Sequence, residues 1–151
     1  MDEEMRTRIL ALLGQHRIMT IATLRPDGWP QATTVGYASE GLTLYFLCGL
    51  NSQKAANLAR DDRVSLTIDH DTPQVMDIKG LSMAARARAV VDPKEGQKVM
   101  RLLIAKYPPQ QTPIPLPMPK PEDVRIFRVT PTVISVLDYS KGFAHADLVT
   151  C

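Results

Sequence analysis

The sequence lacks any apolar run near the roughly 20 residues that a membrane-spanning helix needs. It also lacks a strong charge bias, since 18 Lys and Arg against 16 Asp and Glu leave a net charge of +2. Neither membrane nor nucleic acid is therefore expected as a partner. Cysteine is scarce: Cys48 and Cys151 form no disulfide framework or metal-ligand spacing and read as free thiols in a reducing cytosol. The N-terminal Met-Asp-Glu-Glu-Met-Arg has no apolar segment of a signal peptide, so a cytoplasmic location is expected. His16, His70 and His145 are isolated and show no spacing for a shared metal site. Asp69-His70-Asp71 looks like a chelating cluster, but its place at a strand end reads as a polar turn. There is no Gly-x-Ser-x-Gly elbow, no Walker loop and no Gly-x-Gly-x-x-Gly. If the chain is an enzyme, a cofactor is expected to carry its chemistry.

What is present suits one domain over residues 1–151, with 44% hydrophobic residues to build a core. Met5, Ile9, Leu12 and Leu13 recur at helical spacing, predicting a helix over 2–13. Arg17 to Leu24 is a β-branched run that ends at Pro26-Asp27-Gly28, where Pro presets φ and Gly accepts a positive φ. Strands are expected at 31–38 and 42–48 around a turn at Ser39-Glu40-Gly41. A helix follows at 52–60, then a strand at 63–69 and a long strand pattern at 77–91. In the latter, Leu81, Met83, Ala85, Ala87, Ala89 and Val91 share one face, while Ser82, Arg86 and Arg88 point the other way. Asp92-Pro93 opens a helix through Lys106, with Val99, Leu102 and Leu103 as its stripe. Residues 108–121 hold seven of the 12 prolines and predict an extended loop. Residues 124–137 alternate again, interrupted at Pro131, and 138–151 form a polar tail.

Six strands joined by short hairpins, with two or three peripheral helices, predict a mainly β (α+β) domain closed into a small antiparallel barrel. An open α+β sheet is the alternative on pattern alone. Tyr37 and Tyr45 are expected in the barrel wall, Trp29 over the barrel's end, and Arg86 and Arg88 on a solvated face.

The most informative stretch is Asn51 to Asp62. Helix N-termini favour acids and C-termini favour bases. Here Lys54 sits in the first turn with no acid near it, and Asp61 and Asp62 follow the end. Ser52 is a good N-cap. An added cation at a positive helix end suits an external anion, and phosphate is the usual one. The other reading is a solvated lysine on a surface helix.

Taken in order, Thr20-Ile21-Ala22-Thr23-Leu24, Pro26-Asp27-Gly28-Trp29-Pro30, Leu44-Tyr45-Phe46, Ser52-Gln53-Lys54-Ala55-Ala56-Asn57-Leu58 and Arg63-Val64-Ser65-Leu66 resemble the pyridoxamine 5'-phosphate oxidase-like family of split barrels. Lys79-Gly80-Leu81 and Ala85-Arg86-Ala87 extend the resemblance less specifically. It implies a six-stranded antiparallel split β-barrel and a homodimer that holds flavin mononucleotide (FMN) between its subunits. It implies an FMN-dependent oxidoreductase acting on a small molecule. Carried over residue by residue, it places ring and ribityl contacts on Thr33, Thr34, Val35 and Gly36. It places Leu47 and Cys48 at the end of the third strand, and Ser52, Gln53 and Lys54 at the phosphate. The oxidase has arginine where this chain has Thr33 and Gln53. Its C-terminal Trp and Arg-x-His motif have no match here, so vitamin B6 oxidation itself is not expected. Asp138 to His145 looks like the short, stress-associated members. A deazaflavin coenzyme in a related reductase, and haem or flavin in a non-catalytic binder, are the competing implications. For the tail, two expectations stand: a frayed terminus, or Lys141 to His145 lying across the mouth of the flavin site.

Overall fold

The computed structural model describes residues 1–107 and 119–151. Most of the predicted proline-rich loop, 108–118, lies outside the described residues.

Helix α1 (Glu3–Gln15) starts where Asp2 Oδ1 accepts the Met5 N–H at 2.8 Å, and Glu3 and Glu4 complement its positive end. Ile9 and Leu13 are its buried residues. Strand β1 (Ile18–Leu24) pairs with β2 (Pro30–Gly36) around a turn in which Gly28 takes φ +81°. The chain breaks at Tyr37, and a short β3 (Ala38–Glu40) pairs with β4 (Thr43–Gly49). Then come α2 (Gln53–Arg60), β5 (Arg63–Asp69), β6 (Lys79–Ala89), α3 (Pro93–Lys106), β7 (Val124–Asp138) and β8 (Ala146–Thr150).

All strand pairs are antiparallel, in the order β2-β1-β5-β6-β7-β4-β3, with β8 against β7. The two ends of this path, β2 and β3, are separated in sequence by Tyr37 alone. The sheet therefore curls into a split barrel around one apolar core, which includes Met19, Ile21, Phe46, Leu66, Leu81 and Ile134. Helix α3 covers a smaller cluster on the outside of β3, β4 and β7, with Tyr45, Val99, Leu103 and Ile126.

Six expected strands are eight among the described residues. The expected strand 31–38 is two strands, because the buried Tyr37 donates its N–H to Arg17 O and turns the chain between them. The tail is neither frayed nor excluded from the core. As β8 it pairs with Val133 to Leu137 of β7, and its Val149 is buried. The long strand stops at Ala89, so Val91 is 88% exposed and does not share the inward face. Trp29, expected over the barrel's end, is 73% exposed. Tyr37 and Tyr45 are buried in the wall as expected.

The C-terminal end of α1 has no basic residue in its last turn. Lys106 of α3 supplies one, donating to Leu13 O at 2.7 Å. Tyr37 Oη donates to the same carbonyl at 2.7 Å, and the Lys106 ammonium lies 4.0 Å above the Tyr37 ring centroid.

Two expectations follow. A Cβ at Gly80 would meet Ile68 O at 2.5 Å, a backbone atom of the paired strand that cannot move aside. Gly80→Ala should lose about 1–3 kcal/mol in urea unfolding. Burial, then Arg17, lowers the Lys106 ammonium from its ordinary 10.5 to about 8. The folded chain thus holds this proton less tightly than the unfolded one, and this contribution to stability rises as pH climbs from about 8 towards 10.5. Burial also pushes the Tyr37 phenol up from its ordinary 10.0, which opposes the rise above that pH. Unfolding free energies of wild type and Lys106→Met should therefore change differently with pH between 8 and 10, the variant lacking the rise.

Candidate functional site

Helix α2 opens as its sequence suggests. Ser52 is the N-cap, and its Oγ accepts the Ala55 N–H at 3.1 Å. The first turn contains no acid. Lys54 is half-buried and forms no ion pair among the described residues. The far end is less inverted than the sequence implies. Arg60 occupies the last turn and donates to Leu24 O. Asp61 pairs with Arg63 at 2.7 Å, and Asp62 takes Arg86 at 2.6 Å and Arg88 at 3.0 Å. The Arg63 guanidinium holds the Asp61 carboxyl down to about 2, and Arg88 and Arg86 lower Asp62.

Gln53 Nε2 donates to Asn57 Oδ1 at 2.8 Å. Asn57 is fully buried, and its Nδ2 donates to Thr23 Oγ1 at 3.0 Å and to Gln31 Oε1 at 3.4 Å. One side-chain amide thereby ties the first turn of α2 to the end of β1 and the start of β2. Sequence reasoning missed Asn57. The available signal was an asparagine between Ala55 and Leu58, the two apolar residues that α2 buries.

Along β2, exposure alternates. Gln31, Thr33 and Val35 are half-buried, while Ala32, Thr34 and Gly36 are exposed. Thr33 and Val35 thus share one face of the strand, and Thr34 and Gly36 the other. Val35 packs against the main core, and Thr33 Oγ1 is buried with no hydrogen-bond partner among the described residues. Among the described residues β2 pairs only with β1, so its other edge carries unpaired backbone groups. Gly36 faces Tyr107, whose Oη would lie 2.8 Å from a Cβ there. Tyr107, also missed from sequence, is anchored by donating to Arg17 O.

The remaining predicted residues belong to packing. Cys48 packs against the main core, and Leu47 packs into the cluster under α3. The structure thus groups Ser52, Gln53 and Lys54 at the α2 end of the barrel. Thr33 to Gly36 run along β2 towards α1.

His16 and His70 stack on each other with ring centroids 5.3 Å apart, beside the end of α1. Burial, then His70, lowers the His16 imidazole. His145 faces Asp147 at 3.3 Å. Asp69 ends β5, His70 and Asp71 follow it outside any regular element or turn, and among the described residues no group of three His, Cys, Asp or Glu could hold a metal ion. No helix among the described residues is long and apolar enough to cross a membrane. The segment Tyr139–Lys141 forms a 3-10 turn, and Tyr139 donates its N–H to Ile78 O. Phe143 stays 75% exposed beside Tyr139.

Solved structures resemble this fold. The conserved hypothetical protein Rv2991 from Mycobacterium tuberculosis is 27% identical, with a TM-score of 0.77 over 97% of this chain and 91% of that one. General stress protein 26 from Bacillus anthracis shares the fold at 13% identity, with a TM-score of 0.71 over 98% of this chain and 99% of that one. A haem-binding protein from Mycobacterium smegmatis does so at 21% identity, with a TM-score of 0.69 over 98% of this chain and 57% of that one. No curated protein matches the chain. The sequence profile of the pyridoxamine 5'-phosphate oxidase family matches residues 2–138. With the split barrel and this span of sequence in agreement, the chain belongs to the pyridoxamine 5'-phosphate oxidase family.

Proposed function

We propose that the chain binds FMN between β2 and the N-terminus of α2 and works as a cytoplasmic, homodimeric flavin oxidoreductase on a small molecule. The carrying observation is the Lys54 ammonium in an acid-free first turn. Asp61 and Asp62, which the sequence leaves as its nearest acids, are taken up by arginines. A phosphate there would gain the cation, the Ser52-capped helix end and its partial positive charge. Two further features suit the rest of a flavin. The unpaired edge of β2 offers backbone donors and acceptors, and Thr33 Oγ1 is buried without a partner among the described residues.

The flavin, when bound, supplies the hydride chemistry. This chain's residues bind and orient. Ser52, Gln53 and Lys54 take the phosphate, and Asn57 fixes Gln53 against β1 and β2. Thr33, Thr34, Val35 and Gly36 take the ribityl chain and ring through the backbone along the free edge of β2. Leu47 and Cys48 stiffen the β4 wall from its two faces. A second copy covers the open side, because β2 presents only a shallow half-exposed face of its own.

Haem suits these residues less well. A haem would call for an axial ligand, yet His16 is stacked on His70 and His145 is turned to Asp147. A deazaflavin coenzyme would use the same phosphate end and is separated from FMN by its absorption spectrum.

Purified protein should take up FMN at about one per chain and sediment as a dimer. Lys54→Ala should weaken FMN binding by about 1.5–3 kcal/mol, the scale of a hydrogen bond to a charged group. Riboflavin, which has no phosphate, should bind both proteins alike. Equal losses for the two ligands in calorimetric titration would reject the assignment of Lys54.

A further inference from the structure

A cavity flanks α2 on the side away from Gln53 and Asn57. Its volume is about 570 Å³, within the range of small-molecule sites. Ala55, Ala56 and Ala59 form its helical wall, and Ala87, Ala89 and Phe127 its strand wall. Lys54, Gln53 and Asn57 take no part in it.

Arg88 and Arg125 also line this space, together with Asp62. Arg88 gives only its Nε to Asp62, at 3.0 Å, and Asp62 is already bound by Arg86 at 2.6 Å. The terminal nitrogens of Arg88 have no partner among the described residues. Arg125 stands opposite Cys48 in the register of β4 and β7, exposed and without a carboxylate partner among the described residues. Residues 108–118 contain no acid that could supply one. The cavity therefore combines a largely apolar lining with a surplus of positive charge, since Asp62 is the one carboxylate in that lining against Arg88 and Arg125.

We infer that this cavity binds a small aromatic or aliphatic carboxylate, its apolar body against the alanines and Phe127 and its carboxylate on Arg125 and Arg88. An arginine fork matches the two oxygens of a carboxylate, and pairing with an ion strengthens each hydrogen bond. The flavin reading is not needed for this site, which shares only Ser52 with it.

The test uses the full chain and two probes of similar shape, 2-naphthoate and the neutral 2-naphthylmethanol. Amide shifts in two-dimensional NMR should map 2-naphthoate to Ala55, Ala56, Ala59, Ala87 and Ala89. The alcohol should bind at least about tenfold more weakly, as should 2-naphthoate to Arg125→Gln, on the scale of one charged hydrogen bond. Ala59→Met, at an exposed helical position, should block 2-naphthoate by filling the space while leaving both arginines in place. FMN, added afterwards, should not displace the probe. Equal affinity for the two probes, indifference to Arg125→Gln, shifts mapping elsewhere, no binding, or one-for-one displacement by FMN would each overturn the inference.

Discussion

The barrel depends on a change of phase within β7. In its first half Phe127 and Val129 face the main core, and in its second half Ile134 and Val136 do. Odd positions give way to even ones, which strict alternation forbids. The extra residue is Thr132: Ala85 pairs with Pro131 and Ala84 with Val133, leaving Thr132 unpaired in a β-bulge. Its hydroxyl donates to Ala84 O at 3.1 Å, and its carbonyl accepts the Cys151 N–H at 2.9 Å. Pro131, which has no N–H to give, sits where a bulge tolerates it. Without this one-residue shift, Ile134 and Val136 would face outward. The same bulge divides β7 between partners, β4 along Val124 to Val129 and β8 along Val133 to Leu137.

Helices close the two ends of the barrel in different ways. At the α1 end, Tyr37 and Lys106 converge on the Leu13 carbonyl, and Tyr37 and Tyr107 hold the Arg17 carbonyl. Main-chain oxygens are thus satisfied by groups from distant segments, which fixes where β2 ends and β3 begins. At the α2 end the device is the buried Asn57, satisfied by Gln53, Thr23 and Gln31. A buried amide with all these partners costs little, but removing one of them leaves a polar group unpaired at about 1–3 kcal/mol. The residues proposed to hold phosphate and ring are therefore coupled through a rigid link.

Much of this was legible in the sequence, for local reasons. Pro26-Asp27-Gly28 encodes its turn, and Gly41 with φ +58° encodes the next. The alternation of Leu81, Met83, Ala85 and Ala87 records a real inward face. Ser52 caps its helix as its type and place suggest. The unread parts are those settled by distant partners. Nothing local in Val35-Gly36-Tyr37-Ala38 marks a break, because the break is made by Arg17 O. Nothing in the polar tail marks a strand, because β8 buries only Val149 and takes its place from the free half of β7. The resemblance puts Leu47 at the site end of its strand, yet α3 claims its side chain.

The charge pattern of α2 separates what the fold explains from what it does not. In sequence, the base at the start and the acids after the end look like a single reversed helix. In the structure they are two unrelated facts. Asp61 and Asp62 lie beyond the last turn because they serve Arg63, Arg86 and Arg88 on the strands that follow, so their place costs the helix little. Arg60 in the last turn is oriented as the helix dipole favours. Only Lys54 remains without an internal reason. A cation at a positive helix end is disfavoured by about 0.3–1 kcal/mol, and sites that break a local rule without compensation inside the fold are commonly those that serve a ligand. With the acids accounted for, the anomaly narrows from a whole helix to one ammonium beside one capped helix end. An anion from outside the chain is the compensation that fits that position.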